Sequence, residues 1–323
     1  MRVMSFCLQK SEVEQGKMFK KDVFSAFPIL KPLHTLDLKI EEIGIKRNKM
    51  SESPENYSDF VDYAECWASQ FEKLRLARFS FEEVLVFPWK VQDEIICFTC
   101  LDFESQALLA TEILFCLEHN FFTDFNTFAF QTKMCRAHTL SVEALSCLKK
   151  WRKPVPANIF FCESRFYDDI IKFTTAAYAT SVISGVDEID AGMRDILLSC
   201  ERELSATLPS TRESKWLLAN SKAMRQKSYG DERYARQEWG EALYHQNKRN
   251  SFLQDMHDIT NDSWLSSRGT VPEADTKRTN ELNTICTGLR ISEKQTEQKE
   301  VVAPLPNMPV IGEFVKSCFN DQK

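Results

Sequence analysis

The sequence predicts a mainly α-helical protein, a tetratricopeptide-like antiparallel helical solenoid with a small N-terminal β element. Three observations carry this. The 323 residues include 9 glycines and 11 prolines, few for a chain that must turn tightly and often. Apolar residues recur at spacings of three and four over long stretches, the period of one helix face. Phenylalanine is used 24 times, which suits long helices packed through aromatic rings. No exact internal repeat occurs; the solenoid rests on successive helix pairs joined by short loops.

Residues 1–27 have mixed polarity and form an N-terminal extension; 28–319 read as one helical domain. FPILKPLHTLDLKI reads as an extended lead-in with two prolines, and KRNKMSESPE as a polar linker whose Ser51–Pro54 part could start a helix. Phe60, Tyr63, Ala64, Trp67, Ala68 and Phe71 put one apolar face on a helix over Tyr57–Leu74. Val84–Phe87 is the best strand candidate, stopped by Pro88. Leu101–Leu117 is apolar on nearly every side, as a central buried helix would be. Further helices are expected over Thr132–Trp151, Ala157 to about Ser181, and Glu188 to about Leu204. After the turn at Leu208-Pro209-Ser210 comes a helical pair, Arg212–Tyr234 and Trp239–Met256. A polar loop over 258–277, a thinner helix over Arg278–Gln298 and a proline-rich strap over 301–311 complete the domain.

A net charge of −6 and a pI near 5.6 argue against nucleic acid as the main partner, because phosphate binding needs a basic surface. The eleven cysteines are scattered, mostly in apolar contexts, as free buried thiols in a reducing compartment would be. The start, MRVMSFCLQKSEVEQ, has no secretory h-region. The most apolar window, Ile95–Leu117, holds Asp102, Glu104 and Glu112, so no membrane span is expected.

Cys97 and Cys100 form a C-x-x-C, but no second pair stands at zinc spacing and no thioredoxin-like context surrounds it, so a structural role is expected. His119, His138 and His245 are far apart and lack clustered carboxylates. The acidic pairs Asp168-Asp169 and Asp187-Glu188 point in different directions on a helix and make poor acid–base couples. Dinucleotide, Walker, nucleophile-elbow and zinc-protease motifs are absent from the sequence. The residues therefore argue for no catalytic centre, metal or cofactor. The basic run Lys149–Lys153 suits either a helix C-terminus or an acidic partner.

Several stretches, in order, resemble the Bro-type domain family of Alix, Brox and rhophilin. ILKPLHTLDLKI is similar to its N-terminal segment, and LRLARFSFEEVLVFPWKV to its strand ending in a Phe-x-Trp signature, here Phe87 and Trp89. LDFESQALLATEIL resembles its buried helix opened by an aromatic–Glu pair, here Phe103 and Glu104. KMCRAHTLSVEALSCLKKW, the stretch from Ser214 to Leu253, and VVAPLPNMP follow as its next helix, helix pair and terminal strap. The chain is a shortened and divergent example: sixteen residues separate Ile40 from Tyr57, and the family's central helix survives only as Cys162–Phe166.

The resemblance implies a non-enzymatic adaptor that takes an amphipathic C-terminal helix of an ESCRT-III subunit in a concave apolar groove. It places Ile159 at the centre of that groove, flanked by Phe160, Phe166 and Leu140, with Lys133 and Arg136 near the ligand's acidic residues. Core packing is the competing role for Ile159 and Phe160. The implied location is the cytoplasm, with endosomal or peripheral membrane association through the complex. The alternative is a general helical-repeat scaffold with a different partner.

Overall fold

The computed structural model describes residues 40–52, 56–76, 87–91, 94–98, 101–117, 121–151, 159–207, 211–260, 271–295 and 302–313. The lead-in before Ile40 and strand residues 84–86 lie outside these, as do residues 296–298 of the helix expected over Arg278–Gln298, which in the structure ends at Leu289 because Arg290 turns left-handed. The described chain is mainly helical. By internal packing it divides into two units, Met1–Phe115 with Leu140–Tyr167 and Cys116–Thr139 with Asp168–Lys323.

In the first unit, α1 (Ile40–Glu52) and α2 (Tyr57–Leu76) precede strands β1 (Phe87–Val91) and β2 (Glu94–Phe98) and helix α3 (Leu101–Leu117). The stretch expected to be a polar linker is therefore helical through Glu52. Its charges conceal an inward face: Ile43, Arg47 and Met50 are buried at the i, i+4, i+7 spacing of a helix. Asn56 starts α2 by accepting from Ser58 N at 3.1 Å. Lys49 on α1 meets Asp59 on α2 at 2.5 Å.

The strand does not stop at Pro88. β1 runs through it, and Phe87 to Val91 pair antiparallel with Phe98 to Glu94. A two-stranded ribbon leaves each strand one unpaired edge, where a proline nitrogen is tolerated. Phe87 and Trp89, two apart, are both buried. Phe87 meets Trp67 of α2 edge-on at 5.3 Å. Further along, Phe115 packs on Tyr57 and Phe60, each 5.2 Å between ring centres.

The second unit holds α4 (Phe121–Asp124), α7 (Ala191–Thr207), α8 (Arg212–Ala235), α9 (Trp239–Thr260), α10 (Glu273–Leu289) and a helical turn over 308–313. Most of α5 (Phe128–Lys150) up to Thr139, and α6 (Ser164–Ser184) from Asp168, belong to it as well. α5 starts four residues earlier than periodicity predicts, because Thr127 Oγ1 accepts from Phe130 N and caps it. Phe121, Phe125, Phe130 and Trp216 interlock with ring centres 4.9 to 5.9 Å apart.

α8 and α9 form an antiparallel hairpin: Arg212, at the start of α8, donates to the carbonyls of Ile259 and Thr260 at the end of α9. Thr211 caps α8 by accepting from Ser214 N. α9 continues to Thr260, and α10 begins at Glu273, inside what composition reads as a polar loop. The reason is again a buried charge. Asp275 in the first turn of α10 accepts from both Arg249 Nε at 2.5 Å and Gln246 Nε2 at 2.9 Å. α10 ends at Arg290, which takes the left-handed conformation (φ 56°), and Ile291 N bonds back to Cys286 O. Residues 291–295 then run against the start of α9, where Lys294 N donates to Gly240 O at 3.1 Å. Of the strap, 302–307 has no regular structure, Ser199 on α7 donates to Ala303 O at 2.8 Å, and Met308 and Ile311 are buried.

Candidate functional site

The four side chains assigned to a partner groove all lie in the first unit. Leu140 is on α5, Phe166 in the first turn of α6, and Ile159 and Phe160 at a 3₁₀ turn, Phe160–Cys162. The expected helix from Ala157 thus begins only at Ser164. The run Ile159–Cys162 is β-branched and aromatic and supplies no capping side chain, and both Ile159 and Glu163 are extended. Cys162 N donates to Ile159 O at 2.8 Å and Glu163 N to Phe160 O at 3.1 Å, closing the tight turn.

This turn centres an aromatic cluster. Phe160 meets Phe166 edge-on at 4.9 Å and Phe161 at 5.5 Å; Phe161 lies 5.3 Å from Phe103. Tyr167 stands 5.0 Å from Phe166 and donates its hydroxyl to Phe161 O at 2.6 Å. The structure thus brings Phe160 and Phe166 together. Ile159 is 3% exposed, Leu140 2% and Phe166 8%, so these three are core side chains; Phe160 is half-buried. On α5, Val142, 48% exposed, lies two residues beyond Leu140. Lys133 is half-buried and Arg136 exposed, both in the other unit.

Phe87 and Trp89 gather around one buried carboxylate, that of Glu104, while Phe103 packs on Phe161. Glu104, fully buried, accepts from Arg47 Nε at 3.0 Å and Tyr63 Oη at 2.5 Å on one oxygen, and from Trp89 Nε1 at 2.6 Å on the other. The Arg47 guanidinium also lies over the rings of Phe87 and Trp89, 5.6 and 5.7 Å from their centres. Burial is the largest influence on Arg47 and opposes its charge, yet its pKa is raised, because Glu104 and Tyr63 together outweigh that cost. Burial, then the same carboxylate, pushes the Tyr63 phenol well above its ordinary value, so it remains a donor. Charge and donors are matched: one anion, one cation and two neutral donors bind α1, α2, β1 and α3.

The second unit concentrates ionisable groups on α7, α8 and α9. Glu201 takes a bidentate fork from Arg225 at 2.9 Å for each bond, and Glu232 accepts from Arg194 at 2.5 Å. Both guanidiniums lie over the Tyr229 ring. His245, beside it, shares a 2.7 Å bond with Gln226 Oε1, which assigns the proton to Nδ1. Burial, reinforced by Arg233, lowers its pKa to about 4, so the ring is neutral at pH 7. His138, also lowered by burial, shares a 3.3 Å bond with Thr175. Glu201 and Glu232 each have a cation, so this cluster around Tyr229 is one of mutual neutralisation.

Among the described residues, no three of His, Cys, Asp or Glu stand close enough to hold a metal ion, and no helix is long and apolar enough to cross a membrane. Cys97 lies on β2, while Cys100 is outside the described residues. Sequence reasoning overlooked Arg47, hidden in a run of polar residues, and the groove between α8 and α9, where lysines seven apart and aspartates three apart were the available signal. No protein-family model matches the chain, and no curated protein matches it.

Proposed function

We propose that the protein is a non-enzymatic adaptor of the Bro type: an antiparallel helical solenoid that receives an amphipathic C-terminal helix of an ESCRT-III subunit on a concave apolar face. What supports this reading is one coincidence. Phe87, Trp89, Phe103 and Glu104 carry the resemblance on sequence alone, and Phe87, Trp89 and Glu104 meet around the same buried carboxylate while Phe103 packs on the aromatic turn beside Phe160. In this reading Phe160 is the anchor that reaches the ligand. Phe166 backs it, and Ile159 and Leu140 support both from within. The complex works in the cytoplasm and reaches endosomal membranes through its partner.

The burial of Ile159, Leu140 and Phe166 favours a second reading, a helical-repeat scaffold whose partner docks elsewhere. Titrating a labelled ESCRT-III C-terminal helix peptide against the protein separates the two. The adaptor reading expects micromolar-range binding. Phe160→Ala should weaken it by ~1–2 kcal/mol, about five- to thirty-fold, with circular dichroism unchanged. Absence of binding by the intact protein sinks the adaptor reading and leaves the scaffold. Ile159→Asp is the wrong probe, because a charge at a 3% exposed position tests folding first.

A further inference from the structure

Between α8 and α9 lies a groove of about 430 Å³. Its floor is apolar, with Leu218 from α8 and Phe252 from α9. Its walls have opposite signs: Lys215 and Lys222, one heptad apart on α8, face Asp255 and Asp258 on α9. None of these four makes an ion pair among the described residues. Lys222 rests over the Phe252 ring at 5.6 Å, and Asp258 accepts only from Gln254 of its own helix. Two rows of opposite charge thus stand across an apolar trough without closing on each other.

We propose that this groove is a self-association surface, across which two copies of the chain join about a two-fold axis lying along the trough. Such a rotation carries α8 of each copy over α9 of the other without shifting it lengthwise. Heights along the hairpin match. Arg212 bonds the carbonyls of Ile259 and Thr260, so Lys215 is level with Asp258; Lys222 is level with Phe252, within one turn of Asp255. Each lysine row therefore meets the other copy's aspartate row, twice by symmetry, above the apolar floor of Leu218 and Phe252. A two-fold axis across the trough would set lysine against lysine, so the charges select one mode. The trough is lined over Lys215–Lys222 and Phe252–Ile259, about 12 Å of each helix, so a specific interface of roughly 800 Å² per partner requires the contact to continue along the hairpin beyond it.

The test is sedimentation of the full chain. The unaltered protein should show a reversible monomer–dimer equilibrium that high salt weakens. Lys215→Glu with Lys222→Glu makes the trough all acidic, and Asp255→Lys with Asp258→Lys makes it all basic. Each variant, with unchanged circular dichroism and melting temperature, should raise the dimer dissociation constant by about a hundredfold or more, because like charges now face each other. Mixing the two variants should restore a dimer of mixed composition. A monomeric unaltered protein overturns the proposal and leaves the trough to a different chain. Variants that dimerise as before, or a mixture that stays monomeric, overturn it equally.

Discussion

Glu104 is the residue on which the first unit most depends. Its carboxylate is out of water and has three donors, one of them cationic. Glu104→Gln leaves Arg47 buried without its counter-ion and should cost about 3–5 kcal/mol in urea unfolding. Trp89→Phe keeps an aromatic ring but removes the indole donor, and should cost about 1–3 kcal/mol in urea unfolding. Arg47→Met combined with Glu104→Gln should cost less than the two single changes summed, since the pair is then neutralised together. A strictly additive result would mean that the ion pair contributes nothing as a pair. Trp89 and Glu104 stand out in the sequence beside the apolar run they flank, whereas Arg47 does not. A buried arginine has the same letter as an exposed one, and only its partner 57 positions away reveals it.

Among the elements, those whose edges are set by local chemistry were legible. The apolar run Leu101–Leu117 is a helix over those very residues, α8 begins at Arg212 after the Leu208-Pro209-Ser210 turn, and α9 begins at Trp239 as expected. Elements set by distant partners were not. α1 needs Glu104 to bury its arginine, α10 needs Arg249 to bury Asp275, and the turn at Phe160 follows from aromatic packing. The candidate site suffered most, because Ile159 and Phe160 read as helix while the chain is extended at Ile159 and turns tightly at Phe160. The segment 291–295 supplies an element-scale prediction. A Cβ at Gly240 would collide with Ser292 O and crowd Ile291. Gly240→Ala should therefore destabilise by about 1–3 kcal/mol and increase hydrogen exchange at Lys294, whose amide bonds to Gly240 O.

For the whole molecule, the response to acid is led by His245, with His138 lowered by burial in the same direction and the Glu232 and Asp275 carboxylates acting lower down. His245 has an ordinary value of 6.5 and a folded value of about 4. As pH falls, the unfolded chain takes the proton first, so stability is full above about pH 6.5 and declines down to about 4. Asp275 acts in the same direction lower down: burial alone would raise its pKa, but Arg249 and Gln246 hold it below 3.8, so its contribution fades beneath that value. Thermal melts should be flat between about pH 7 and 8 and drop steadily from about 6.5 to 4, and His245→Gln should flatten that slope. An unchanged slope would remove His245 as the cause. The described cysteines are free thiols, so adding a reductant should not shift the melting temperature.

The carboxylate at Glu104 also bears on how such a chain can drift. Arg47, Tyr63, Trp89 and Glu104 cannot be exchanged one at a time, because each single loss strands a charge or a donor in the interior. Positions bound in this way change together or not at all, while the surface around them is rewritten freely. Distant kin of this protein should therefore be recognisable by four letters at fixed separations long after the intervening text has lost all likeness.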